Sequence, residues 1–250
     1  MLIYYIRHGD PVYDPDQLTP LGEEQAEAVA NRLALFGVDE IYSSTSNRAI
    51  QTAKPLCEKL GLEVKTLDFL HEDHLRGLER PKEDGAMAWI WAHPVYSQLL
   101  CSREVRELGE KWYTHPDLEQ FHFDRVIRPV QEQLDDFLTS LGYAHDLEKG
   151  LYKVTNRQAE KRIAIFAHEC MGKVFMSHLL DIPFVQYAAH FEMHTSGVSV
   201  IRFDDGIMQA APNPPYPYAR ARLLTLSNDA HLYHEGVSLT HRFTRLREQY

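Results

Sequence analysis

The chain opens on an apolar run, Leu2-Ile3-Tyr4-Tyr5-Ile6, that stops at Arg7-His8-Gly9. A short run of aromatic and β-branched residues ending this way reads as a strand. The period then changes: Ala26, Val29, Ala30 and Leu33 recur at helical spacing between Leu18 and Phe36. Thr19 fits the N-cap, Pro20 the first helical position, Glu23 and Glu24 the positive end of the dipole, and Gly37 the stop. Asp39 to Ser43 reads as a second strand. Ser46 to Leu60 reads as a helix closed by Gly61 and kinked or divided by Pro55, and Glu63 to Leu67 as a third strand. Strand, helix, strand, helix, strand at these intervals predicts right-handed parallel crossovers.

The alternation lapses between about Asp73 and Gln158, where aromatic and histidine residues gather: Trp89, Trp91, His93, Tyr96, Trp112, Tyr113, His115, Phe121, His122 and Phe123. This stretch, 73–158, reads as an inserted, mostly helical cap. Its longest helix is expected from Asp117 to Leu141, with Val126, Val130, Leu134, Phe137 and Leu138 inward and Pro129 bending it. The aromatics form either the core of the cap or the lining of a substrate mouth. Regular punctuation returns with a strand from Arg162 to Ala167, a helix from Cys170 to Leu180, and strands at Val198 to Phe203 and Leu223 to Leu226; a last helix is expected over Thr240 to Gln249. The predicted fold is a single α/β domain over residues 1–250, a three-layer sandwich with a mostly parallel central sheet, helices on both faces and the cap inserted.

Composition narrows the function classes. At 250 residues and 44% hydrophobic content the chain can bury a large core. No stretch approaches the roughly 20 apolar residues of a membrane span, and a strand starting at Leu2 leaves no room for a signal segment, so a cytoplasmic location is expected. Thirty-six acidic against 26 basic residues give a net charge of -10, which offers no surface for nucleic acid or anionic lipid. Cys57, Cys101 and Cys170 have no ligand spacing and no disulfide framework. The fourteen histidines are dispersed without HExxH or Cys/His pairs, so no metal and no cofactor is expected. The oligomeric state is silent in the sequence.

Arg7, His8, Glu72 and His168 each fall at or just past the C-terminal end of a predicted strand, and Arg48 opens the helix after the second one. In a parallel sheet those ends form one rim, where ligands bind. Two arginine forks match the oxygens of a phosphomonoester, and the helix after His168 offers backbone N–H groups at its N-terminus. An imidazole at His8 can attack phosphorus and split hydrolysis into two steps. A protonated His168 would add a donor, and Glu72 would protonate the leaving oxygen and later activate water. Structural alternatives stand beside these roles: Arg48 paired with a neighbouring acid, His168 as a satisfied core histidine, Asp73 in place of Glu72. His231 reads as a fold-stabilising residue.

Several segments then carry a resemblance in order. They are Arg7-His8-Gly9, Leu18-Thr19-Pro20-Leu21-Gly22 with Gln25-Ala26, Ser43-Ser44 with Arg48-Ala49 and Gln51-Thr52-Ala53, Leu70-His71-Glu72, the strand ending in His168, and Asn228-Asp229-Ala230-His231-Leu232. The chain resembles the histidine phosphatase superfamily, in its phosphoglycerate-mutase-like branch. The resemblance implies His8 as phosphate acceptor, Glu72 as proton donor, and Arg7, Arg48 and His168 as pocket residues; Gly9 and the start of the helix at Glu169 join the phosphate-binding set through their backbone. The chain departs from the family pattern at Asp10-Pro11, at Asp14 where an Asn is common, and at Glu169 where glycine is usual. The function expected is metal-independent hydrolysis of a small phosphorylated metabolite through a phosphohistidine. The alternatives are a mutase, disfavoured because Asp73 to Arg80 holds no tyrosine, and a catalytically impaired phospho-ligand binding protein, motivated by Asp14 and Glu169.

Overall fold

The computed structural model describes residues 1–156, 158, 160–204 and 218–239. The first half comprises β1 (Leu2–Arg7), β2 (Pro11–Tyr13), β3 (Asp16–Leu18), α1 (Pro20–Phe36), β4 (Glu40–Ser43), α2 (Asn47–Leu60) and β5 (Val64–Thr66). A middle section follows with β6 (Glu79–Pro81), β7 (Met87–Trp89), α3 (Tyr96–Leu100), α4 (Arg103–Glu107), α5 (Phe123–Val126) and α6 (Arg128–Ser140). The chain then returns through β8 (Tyr143–Asp146), β9 (Leu151–Val154), β10 (Arg162–Ala167), α7 (Glu169–Leu179), α8 (Phe184–His190), β11 (Val198–Asp204), β12 (Tyr218–Asn228) and α9 (Ala230–Glu235).

Eight strands form one sheet in the order β5-β4-β10-β1-β11-β12-β9-β8. The half from β5 to β1 is parallel throughout, and each pairing beyond β1 is antiparallel. Because β11 and β9 alone reverse direction, β12 and β8 run the same way as the parallel half. The strands nearest the centre are buried on both faces. In β1, Ile3 and Tyr5 join one core while Tyr4 and Ile6 join the other; in β10, Ile163 and Ile165 oppose Ala164 and Phe166. Period-2 alternation between two apolar faces is what a sheet covered by helices on each side requires.

One face is covered by α1 and α2. The Thr19 hydroxyl caps α1 by accepting from Gly22 N, Pro20 occupies its first turn, and Val29, Ala30 and Leu33 press on Tyr4, Ile6 and Ile41. The second helix runs from Asn47 to Leu60 through Pro55, so of the kink or division expected there the division does not occur. Its buried residues Ala49, Ala53 and Leu56 hold it on the sheet, which offsets the one hydrogen bond the proline removes. The opposite face is covered by α7, whose Met171, Val174 and Phe175 are fully buried, together with α6.

Two other expectations change. The helix predicted over Asp117 to Leu141 is instead α5 and α6, separated at Ile127, with Pro129 in the first turn of α6, where a missing N–H costs nothing. The segment Tyr143 to Val154, expected within a helical cap, is the β8–β9 hairpin at the sheet edge, with Tyr143 and Tyr152 packed on Phe203. Between β5 and β8 the remaining chain is short helices and the β6–β7 hairpin, and Trp112, Phe121 and Phe123 are buried in it. The helix expected over Thr240 to Gln249 lies outside the described residues. Among the described residues no helix is long and apolar enough to cross a membrane.

Candidate active site

The strand ends of β1, β10 and β4 are laced together. His8 N donates to Ala167 O at 2.9 Å, and Ser44 N donates to Phe166 O at 2.8 Å. The residues immediately past β1 and β10 are therefore neighbours, and the His8 and His168 rings stand 5.2 Å apart at 61°. Both are buried, at 2% and 0% exposure. Gly9 is dictated by packing: a Cβ there would lie 2.6 Å from Gly22 O at the start of α1. Its amide donates to Thr52 Oγ1 at 3.0 Å, so Gly9 anchors the loop after β1 to α2.

Hydrogen bonds assign the protons on both imidazoles. His8 Nδ1 lies 2.7 Å from Gly9 O, which can only accept, so Nδ1 carries the proton and the ring lone pair is on Nε2. His168 is the reverse case. Its Nδ1 lies 3.1 Å from Arg48 Nη2, which can only donate, and its Nε2 lies 2.9 Å from the Ser44 hydroxyl. Burial first, then the neighbouring His8 and Arg48, push the His168 imidazole well below its ordinary range. His168, which would add a donor if protonated, is here a neutral ring with Nδ1 accepting and Nε2 donating. Ser44 and Ser46, whose hydroxyls meet His168 Nε2, are site residues that sequence reasoning did not single out.

Arg48 is 5% exposed and surrounded by acceptors. Nη1 donates to Asp16 Oδ1 at 2.6 Å, while Nη2 donates to Glu72 and faces His168. Of the two carboxylates in His71-Glu72-Asp73-His74, Glu72 reaches the site; Asp73 turns to Arg76 and His74 to Asp68. His71 also comes close, its ring 5.9 Å from that of His168. The Cys170 thiol, pushed well above its ordinary range by burial and by Glu72, stays protonated and donates to Glu72 Oε2 at 3.3 Å. Asp14 is exposed, so the acid that bears on Arg48 is Asp16, two residues later in the β2–β3 hairpin. The Asp10 carboxylate accepts from the Thr19 hydroxyl at 2.8 Å and so serves the entry to α1.

Arg7 projects from the last position of β1. Its Nη1 donates to Met193 O at 2.5 Å and to Glu169 Oε2 at 3.1 Å. The other oxygen of Glu169 lies 3.3 Å from Lys173 Nζ, a residue only 1% exposed that also donates to Phe191 O. Glu169 is therefore shared between two cations, and its charge is neutralised on the helix that carries it. Lys173 went unnoticed in the sequence because it lies four residues along an otherwise apolar helix. The Nε groups of Arg7 and Arg48 are both buried with no hydrogen-bond partner among the described residues. Buried donors in that state are costly and call for an acceptor.

His231 lies behind this rim. Its Nε2 is 3.2 Å from the Ser196 hydroxyl, and Ser196 N donates to His8 O at 3.1 Å, so α9 props the loop that holds the His8 backbone.

Two imidazoles, two guanidiniums and one carboxylate thus meet at the strand ends of a mixed α/β sheet. Residues 3–112 match the family model for branch 1 of the histidine phosphatase superfamily. A segment of 91 residues is 35% identical to a probable phosphoglycerate mutase, GpmB, of Yersinia enterocolitica, covering 32% of this chain and 42% of that protein. A segment of 143 residues is 24% identical to a putative phosphoserine phosphatase 2 of Hydrogenobacter thermophilus, covering 50% and 70%. The chain thus spans less than half of the first of these relatives. Among solved structures, a mycobacterial glucosyl-3-phosphoglycerate phosphatase in complex with VO3 superposes with a TM-score of 0.57 at 19% identity, over 91% of this chain and 99% of that one.

Proposed function

We propose that this chain is a phosphatase that hydrolyses a small phosphomonoester through a phosphohistidine on His8. The observation that carries the reading is the His8 Nδ1 contact to Gly9 O, which puts the lone pair on Nε2 at a rim where the Arg7 and Arg48 Nε groups are buried with no partner among the described residues. In the first step that lone pair forms the N–P bond while the P–O bond to the leaving group breaks. Arg7, Arg48 and the backbone N–H at the start of α7 hold the non-bridging oxygens, and the leaving oxygen takes a proton from Glu72. In the second step water attacks phosphorus and gives its proton to Glu72. The N–P bond breaks, and inorganic phosphate and the original His8 are restored.

The Glu72 carboxylate shares Arg48 Nη2 with His168, and a phosphoryl dianion competes for that guanidinium. The dianion also supplies the negative charge that a protonated His168 needs. These residues furnish nucleophile, charge and proton, so the sequence needs no metal.

Hydrolysis is preferred over isomerisation because no tyrosine follows Glu72 up to Arg80. The reading as an impaired binding protein loses its motive, since Asp14 is exposed and Glu169 is neutralised by Arg7 and Lys173. The phosphatases among the relatives support a small phosphorylated metabolite as substrate. Release of phosphate from an aryl phosphate by the wild type, and its loss in His8→Ala, is the expected result. Equal rates in the two proteins overturn the assignment.

A further inference from the structure

Histidines that are scattered along the sequence converge at the far end of α7. Asp135 on α6, His145 on β8 and His178 on α7 each bring one ligand atom within 4.8 Å of the others. Asp135 Oδ1 lies 3.1 Å from His145 Nδ1 and 2.9 Å from His178 Nε2. The two imidazole rings are 4.9 Å apart at 75°, so they approach the carboxylate from different sides. We propose that Asp135, His145 and His178 form a binding site for a divalent ion of the zinc class, with Asp181 fixing the orientation of His145.

Four features carry this. The donor set is two imidazole nitrogens and one carboxylate oxygen, which suits zinc and its borderline neighbours, whereas calcium and magnesium take oxygen ligands. Metal–ligand bonds of about 2.0–2.1 Å put neighbouring tetrahedral ligands about 3.3 Å apart, so the observed separations need only small side-chain adjustments. His145 is 1% exposed and stacked on Tyr152 at 4.4 Å, and its second nitrogen, Nε2, lies 3.2 Å from an Asp181 oxygen. A carboxylate accepting from that nitrogen keeps the proton there and leaves Nδ1 for the ion, the arrangement seen behind metal-bound histidines generally. Finally, Asp135, His178 and Asp181 line a cavity of about 460 Å³ with Trp112, Phe123 and Phe184. Three protein ligands and one side open to a cavity leave a position for water or for an anionic group of a small molecule.

The ligands come from three elements. Among the described residues β9 pairs with β12 at two positions, Tyr152 and Lys153 opposite Ala219 and Tyr218. An ion here fastens the β8–β9 edge hairpin to α6 and α7. The inference is independent of the chemistry proposed at His8, since His178 and the phosphate-binding turn lie at opposite ends of α7.

The test is zinc itself, titrated into the full chain after chelator treatment, in competition with a chromophoric chelator at pH 7.5. The wild type is expected to take up one equivalent, with a raised melting temperature. His178→Ala should weaken binding at least 100-fold, Asp181→Asn by about 10- to 100-fold, and His8→Ala should bind as the wild type does. Cobalt in place of zinc should give tetrahedral visible absorption in the wild type. If His178→Ala does not fold, Asp135→Asn and the wild-type cobalt spectrum decide the matter. No uptake by the wild type, unaltered uptake by the cluster variants, or uptake abolished by His8→Ala would each overturn the site.

Discussion

Nη2 of Arg48 lies 3.1 Å from Nδ1 of His168, and that contact makes Nδ1 the accepting nitrogen of the second imidazole. The same guanidinium reaches Asp16 with its other terminal nitrogen and Glu72 with Nη2. Arg48 is thus the hub through which a helix, a hairpin and two strand ends share charge. A lysine cannot reproduce that fork. Arg48→Lys is expected to lower kcat/KM roughly 100-fold, about 3 kcal/mol of transition-state stabilisation, typical of a lost oxyanion donor. Steady-state kinetics on an aryl phosphate measure it, and a change below threefold contradicts the role.

Glu72 is assigned to the leaving oxygen, so its importance should depend on what leaves. Glu72→Gln should slow hydrolysis of an alkyl phosphate by about 100- to 10,000-fold, the range for a positioned acid. p-Nitrophenyl phosphate, whose leaving group departs without a proton, should be affected much less. Both losses are read in the pre-steady-state phosphorylation step, because Glu72 also serves the water of the second; equal losses there would contradict its role as the acid.

His231 gives the fold a pH dependence with a definite sign. Burial first, then the Arg32 guanidinium 3.4 Å from its Nδ1, lower it from 6.5 to about 4. The unfolded chain binds the proton more readily than the folded one, so this contribution is complete above pH 6.5. It is lost progressively as pH falls toward 4. The span corresponds to about 3 kcal/mol at most. Denaturant unfolding at pH 7 and pH 4.5 should show His231→Asn losing less stability on acidification than the wild type; equal losses would assign the acid sensitivity elsewhere.

The elements closest to the site were the most legible in the sequence. β1 and β10 announce themselves as apolar runs broken by charged or imidazole groups, and α1 carries its cap, proline and stop in plain order. Strand-end placement also brought Arg7, His8, Arg48, Glu72 and His168 into one neighbourhood before any coordinates. What escaped notice depends on tertiary pairing. Asp16 and Lys173 matter only because the fold sets them against Arg48 and Glu169, and no local spacing signals such contacts. Tyr143-Ala-His-Asp and Leu151-Tyr-Lys-Val hold one tyrosine on each side of a turn, yet they are too short to outweigh the helical pattern before them. The neutral state of His168 follows from its burial first, then from His8 and from Arg48, 120 positions away in sequence.

The central claim is that phosphorus becomes bonded to His8. The wild type should be mixed with a ³²P-labelled phosphomonoester, quenched in alkali within milliseconds, digested and mapped. Acid-labile, alkali-stable label on the peptide carrying Arg7-His8-Gly9, absent from His8→Ala, is the result predicted. Steady release of labelled phosphate with no label on that peptide at any time would contradict it.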